Sequence, residues 1–119
     1  MKYRLMGNSG LRVSELGLGA MTFGNEDWGA EKEESRRVYE RFREAGGNFV
    51  DTANLYAGGR SESFLGEFLA GDRDRIVLAS KYTGATRRRD VNAGGNNRKN
   101  MMDSVHASLK RLDTDYIDL

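Results

Sequence analysis

Asp51, Tyr56 and Lys81 are an acid, a phenol and an amine, each at or just beyond the end of an apolar run. Asp51-Thr52-Ala53 closes the run Asn48-Phe49-Val50, Tyr56 follows five residues after Asp51, and Lys81 closes Ile76-Val77-Leu78-Ala79-Ser80. At adjacent strand ends these three types can form one proton-donating site. Reduction of a carbonyl by hydride transfer builds negative charge on its oxygen, and a positioned general acid relieves that charge. Tyr56 is the candidate acid. A free phenol titrates near about 10, and a neighbouring ammonium favours its ionised form. Lys81 could supply that ammonium, and Asp51 would hold it in place and keep it charged.

Such a trio needs strands to carry it, and the pattern supplies them. Residues 3–13 read as a hairpin: Tyr3, Leu5, Leu11 and Val13 alternate with polar neighbours around Gly7-Asn8-Ser9-Gly10. Glu15 to Met21 reads as a short strand that runs into a Gly-rich loop through Phe23, Gly24 and Trp28. Residues 31–45 read as a helix with Val38, Phe42 and Ala45 in one stripe and Tyr39 beside it. Glu31, Glu33 and Glu34 crowd its first turn, Glu33 and Arg37 are spaced to pair, and Gly46-Gly47 stops it.

A strand over 48–51 follows, then a helix over 61–70 with Ser61 as N-cap, Glu62 in the first turn and Phe64, Leu65, Phe68 and Leu69 facing inward. The nearly all-apolar strand 76–80 is expected to be buried on both faces. A polar loop over 82–97 leads to a helix over 98–112, with Met101, Met102, Val105, Leu109 and Leu112 inward, and 116–119 reads as a fourth strand. A hairpin followed by β-α-β-α-β-α-β predicts an α/β architecture with a parallel sheet.

Composition narrows the function classes. The chain has 119 residues, enough for one modest domain. Its 19 basic and 18 acidic residues nearly cancel, which removes any compositional case for nucleic-acid binding. No apolar run approaches the ~20 residues of a membrane span, and Lys2-Tyr3-Arg4 follows Met1 where a secretory signal would need an apolar region. With no Cys there is neither a disulfide framework nor a thiolate metal site. The expectation is a cytoplasmic protein with no metal, no membrane partner and no nucleic-acid partner. Gly17-Leu18-Gly19 invites a dinucleotide-fingerprint reading, but Thr22 stands where that pattern needs its third Gly, and Asp51 lies too far on to be its acid. Small residues that let a cofactor ring approach a strand end are the better reading.

Four segments resemble the aldo-keto reductase family in its order and spacing. They are Leu16-Gly17-Leu18-Gly19-Ala20-Met21-Thr22-Phe23-Gly24; Gly47-Asn48-Phe49-Val50-Asp51-Thr52-Ala53-Asn54-Leu55-Tyr56 with Arg60-Ser61-Glu62; Leu78-Ala79-Ser80-Lys81-Tyr82; and Ser108-Leu109-Lys110-Arg111-Leu112-Asp113-Thr114-Asp115-Tyr116-Ile117-Asp118-Leu119. The resemblance implies a (β/α)8 TIM barrel of which residues 1–119 are the N-terminal portion: the first three β/α units plus the fourth strand. It implies NADPH as cofactor and an aldehyde or ketone as the small-molecule substrate. Tyr56 becomes the proton donor, Lys81 its tuner and Asp51 the orienting partner. Gly19, Ala20 and Met21 line the cofactor, with Asp51 also at the nicotinamide ribose.

The family's catalytic His would lie just beyond Leu119, so the resemblance implies a truncated chain and does not imply activity of these residues alone. His106, mid-helix, is not that His; Arg87-Arg88-Arg89 reads as a solvated charge run. Two alternatives stand beside catalysis: a non-catalytic accessory protein of the same fold, and a half-barrel that self-associates through exposed sheet edges.

Overall fold

Three short apolar runs pair in parallel at the centre of the molecule. The computed structural model describes residues 1–119. In it β3 (Leu18–Gly19), β4 (Phe49–Asp51) and β5 (Val77–Ala79) form one parallel sheet in that order. The register is Gly19 beside Asp51 and Asp51 beside Ala79. A separate antiparallel hairpin, β1 (Tyr3–Leu5) with β2 (Arg12–Ser14), precedes the sheet. Asn48 ties the two together: its side chain accepts from the Ser14 N–H at 2.7 Å and donates to the Arg12 carbonyl at 3.1 Å.

Helices α1 (Lys32–Glu44), α2 (Arg60–Leu69) and α3 (Arg98–Leu112) alternate with the strands. A core of Ala20, Phe23, Tyr39, Val50, Leu65, Phe68, Leu69, Ile76, Leu78 and Leu112 fills the space between sheet and helices. Phe68 sits at its middle, edge-on to Phe23 at 6.2 Å and tilted against Tyr39 at 5.8 Å. The result is an open α/β layer, part of a barrel wall and not a closed barrel. No helix is long and apolar enough to cross a membrane.

Several local expectations are corrected. Residues 116–119 do not form a regular strand. They lie along β5, with Asp118 and Leu119 N–H groups donating to the Leu78 carbonyl and Ser80 N–H donating to the Leu119 carbonyl. The Leu78 N–H is taken at 2.9 Å by the Asp118 carboxylate, which also holds Arg73, so a side chain occupies the place of a ladder carbonyl.

Ser61 is not an N-cap; Gly59 holds that position at φ 97°, and Ser61 lies inside the helix. In α1, Ser35 and Tyr39 are buried while Val38 and Ala45 are exposed, and Arg37 pairs with Glu34 instead of Glu33. In α3 the buried face is Asn100, Ser104, Ser108 and Leu112, each four residues apart, while Met101 is exposed and Met102, Val105 and Leu109 are half-buried. Small side chains with local hydrogen bonds let these helices approach closely. At Gly66 of α2 an added Cβ would stand 2.8 Å from the Arg111 carbonyl oxygen and the Leu112 carbonyl carbon.

Candidate active site

Side chains alternate across a sheet, so residues two apart share a face. Phe49 and Asp51 of β4, with Gly19 and Ala79 beside Asp51 in register, point away from the helices. Val50 and Leu78, in register with Leu18, face the helices and are fully buried. Lys81, two residues beyond Ala79, returns to the side that carries Asp51.

There the structure brings the three predicted residues together. Lys81 Nζ lies 2.7 Å from both Asp51 carboxylate oxygens and 3.3 Å from the Tyr56 hydroxyl oxygen. It also donates to the Thr52 carbonyl at 3.0 Å and stands 5.1 Å from the centre of the Tyr56 ring. Burial works against the Lys81 charge, but hydrogen bonds to Asp51 and Tyr56 outweigh it, and the net effect raises its pKa above the ordinary lysine value. Because the ammonium donates to the phenol oxygen, the phenolic proton is left free to be given elsewhere.

Tyr56 owes its place to the turn that follows it. A single 3-10 turn over Tyr56–Gly59 leads into α2, with Ala57, Gly58 and Gly59 at φ 51°, 65° and 97°. Glycine adopts this left-handed region freely; for Ala57 it costs about 1–2 kcal/mol, the strain of reversing the chain this tightly.

The predicted cofactor-side residues divide. Gly19 and Met21 are exposed, and an added Cβ on Gly19 would meet nothing within 4 Å. The side chain of Ala20 turns the other way, wholly into the core. His106 is exposed on α3, and Arg87 is exposed and paired with Asp90 at 2.8 Å. Neither joins the trio.

Sequence reasoning passed over the polar residues behind the site. Glu62 is completely buried; one carboxylate oxygen accepts from Ser80 Oγ at 2.7 Å and the other from Arg111 Nε at 2.6 Å. Thr52, Ser61 and Ala20, also buried, are joined by hydroxyl bonds of 2.9 and 2.7 Å. One signal was present: Glu62 falls on the same helical stripe as Leu65, Gly66 and Leu69, where a charge has no solvent to face.

Comparison with known proteins bears on the chain as a whole. The model of the aldo/keto reductase family matches residues 15–119. Norsolorinic acid reductase B of Aspergillus parasiticus is 49% identical over 92% of this chain and 31% of its own length. An aryl-alcohol dehydrogenase [NADP(+)] of Phanerodontia chrysosporium is 41% identical over 92% of the chain and 32% of its own. Among solved structures, the holo form of an aldo-keto reductase from Bacillus halodurans superposes with TM-score 0.84 at 38% identity, covering 98% of this chain and 38% of that one. The chain thus spans about a third of the length of the curated relatives just described.

Proposed function

The chain belongs to the aldo/keto reductase family, and from that premise we propose that it carries the proton-donating part of an NADPH-dependent reduction of aldehydes or ketones. The observation that carries this reading is the Lys81 ammonium held between the Asp51 carboxylate and the Tyr56 hydroxyl. Tyr56 donates its proton to the carbonyl oxygen as negative charge builds there. Lys81 offsets the charge left on the phenol oxygen, and Asp51 fixes the ammonium, with both carboxylate oxygens 2.7 Å from Nζ.

NADPH would supply the hydride. The open space at Gly19, in register with Asp51, fits the close approach of a flat ring. Gly19, Ala20 and Met21 would border it, Ala20 through its backbone, and Asp51 would meet the ribose. The relative whose name includes NADP(+) supports that cofactor. Residues from the remaining two thirds of a family barrel would complete the site, so these 119 residues alone are not expected to turn over substrate.

The test is a chimera in which residues 1–119 replace the matching third of the Phanerodontia chrysosporium relative, assayed with NADPH and aromatic aldehydes. Tyr56→Phe is expected to lower turnover by about 10²-fold or more. Turnover that survives the substitution overturns the assignment.

A second reading, self-association, is favoured by an open, largely apolar groove of about 290 Å3 along Met101, Val105, Ile117 and Leu119. The partner would be a second copy. Sedimentation that shows only monomer at working concentration removes this reading.

A further inference from the structure

Asp51, Lys81 and Met21 are each chain neighbours of a residue that faces the helices. Beyond the row Gly19, Asp51, Ala79 the ladder continues, with Ala20 N–H donating to the Asp51 carbonyl at 2.8 Å and Thr52 N–H to the Ala79 carbonyl at 2.9 Å. The next row is therefore Ala20, Thr52 and Ser80. All three are gripped by two consecutive residues in the first turn of α2. Ser61 Oγ donates to the Ala20 carbonyl at 2.7 Å, so its remaining contact, 2.9 Å from Thr52 Oγ1, is one it accepts. Glu62 accepts from Ser80 Oγ at 2.7 Å.

We propose that Ser61 and Glu62 are positioning residues that set the geometry of the Asp51–Tyr56–Lys81 site from the opposite side of the sheet. Both side chains are fully buried, so water does not compete for their bonds. Ser80, held outward by Glu62, obliges Lys81 to emerge on the Asp51 side; Thr52, held outward by Ser61, does the same for Asp51. Tyr56 lies on the short connection that delivers β4 to this turn, so the grip reaches the third residue through the chain itself. Arg111 completes the device: its guanidinium neutralises Glu62 and binds Ser108, locking α3 to the clamp.

The inference rests on the proposed site, but it is read without turnover, so its failure and the failure of Tyr56 as proton donor are distinguishable. The experiment is an NMR titration of the lysine Cε carbons of the protein, with Lys2, Lys32, Lys99 and Lys110 as internal references. In the parent, Lys81 titrates above the ordinary lysine value because Asp51 and Tyr56 hold its proton.

Glu62→Ala is expected to bring the Lys81 titration down towards the ordinary lysine value. Should Glu62→Ala fail to fold, Ser80→Ala removes only the hydroxyl that links the clamp to the strand, and the same downward shift is expected. Ile76→Val, a small core truncation at the other end of the same run, is expected to leave Lys81 unchanged. A Lys81 titration in Ser80→Ala identical to the parent overturns the proposal. So does an equal shift in Ile76→Val, which would assign the effect to general loosening.

Discussion

On the helix side of the sheet, Val50, Thr52, Leu78, Ser61 and Glu62 have no measurable exposure. On the other side, Asp51 and Lys81 leave 41% and 49% of their side chains in solvent. The same short strands build both faces, one residue out of phase. The helix side holds a carboxylate and three hydroxyls (Thr52, Ser61 and Ser80) with no partner but one another, Arg111 and a backbone carbonyl. A buried ion pair broken on one side leaves an uncompensated charge, whereas a solvated pair loses little when broken. Stability and the proposed chemistry thus fall to opposite faces of the same strand ends.

The largest expected effect that would break this contrast is on the helix side. Glu62→Ala strands the Arg111 guanidinium and is expected to lower the unfolding free energy by about 3–5 kcal/mol in urea denaturation. A loss below 1 kcal/mol, on the order of a surface pair, would erase the difference between the faces. Next comes Gly66→Ala, whose new methyl would press against the backbone of Arg111 and Leu112. Overpacking of this kind costs about 1–3 kcal/mol, again read from denaturant midpoints.

The smallest effect on folding is expected on the other face. Lys81→Met should change stability near neutral pH by no more than about 1 kcal/mol, because the ion pair it removes is half in solvent. The same substitution in the chimera should abolish carbonyl reduction.

Alkaline pH sharpens the comparison. The Lys81 pKa is raised in the fold, so its contribution is fully present below the ordinary lysine value and is lost as pH rises through the folded-state value. Burial raises the Tyr39 pKa, with Arg43 opposing, and Tyr39 acts in the same direction from about pH 10 upward. Thermal melts above that pH should therefore fall less steeply in Lys81→Met than in the parent, and still fall because of Tyr39. Parallel curves for the two proteins would show that Asp51 does not hold the Lys81 proton.

Much of the fold was legible. The 3.6-residue periodicity placed α3 over 98–112, where the structure has it. The apolar runs placed β4 and β5 within one residue at each end. What periodicity misjudged was which stripe of a helix is buried. In α3 the Met101–Val105 stripe is the more apolar, yet Asn100, Ser104 and Ser108 are the residues inside. Asn100 donates to the carbonyls of Tyr82 and Gly95 at 2.9 and 3.0 Å, bonds to a loop 5 to 18 residues away that no helical pattern contains. The three candidate residues could be named because Asp51 and Lys81 each close an apolar run and Tyr56 follows five residues after Asp51. Ser61 and Glu62 were read as local helix furniture because their partners Thr52, Ser80 and Arg111 are up to 49 residues distant.

The sequence by itself determined the ends of β4 and β5 and of the three helices to within one residue, the family, and the chemical types that meet at the candidate site. These follow from local periodicity and from side chains whose chemistry is intrinsic. Only the tertiary structure decided that one turn of α2 grips all three strand ends, and that Lys81 comes within 2.7 Å of Asp51. The physical reason is that a buried polar group is tolerable only where distant partners satisfy it, and those partners exist only once the sheet and helices are packed.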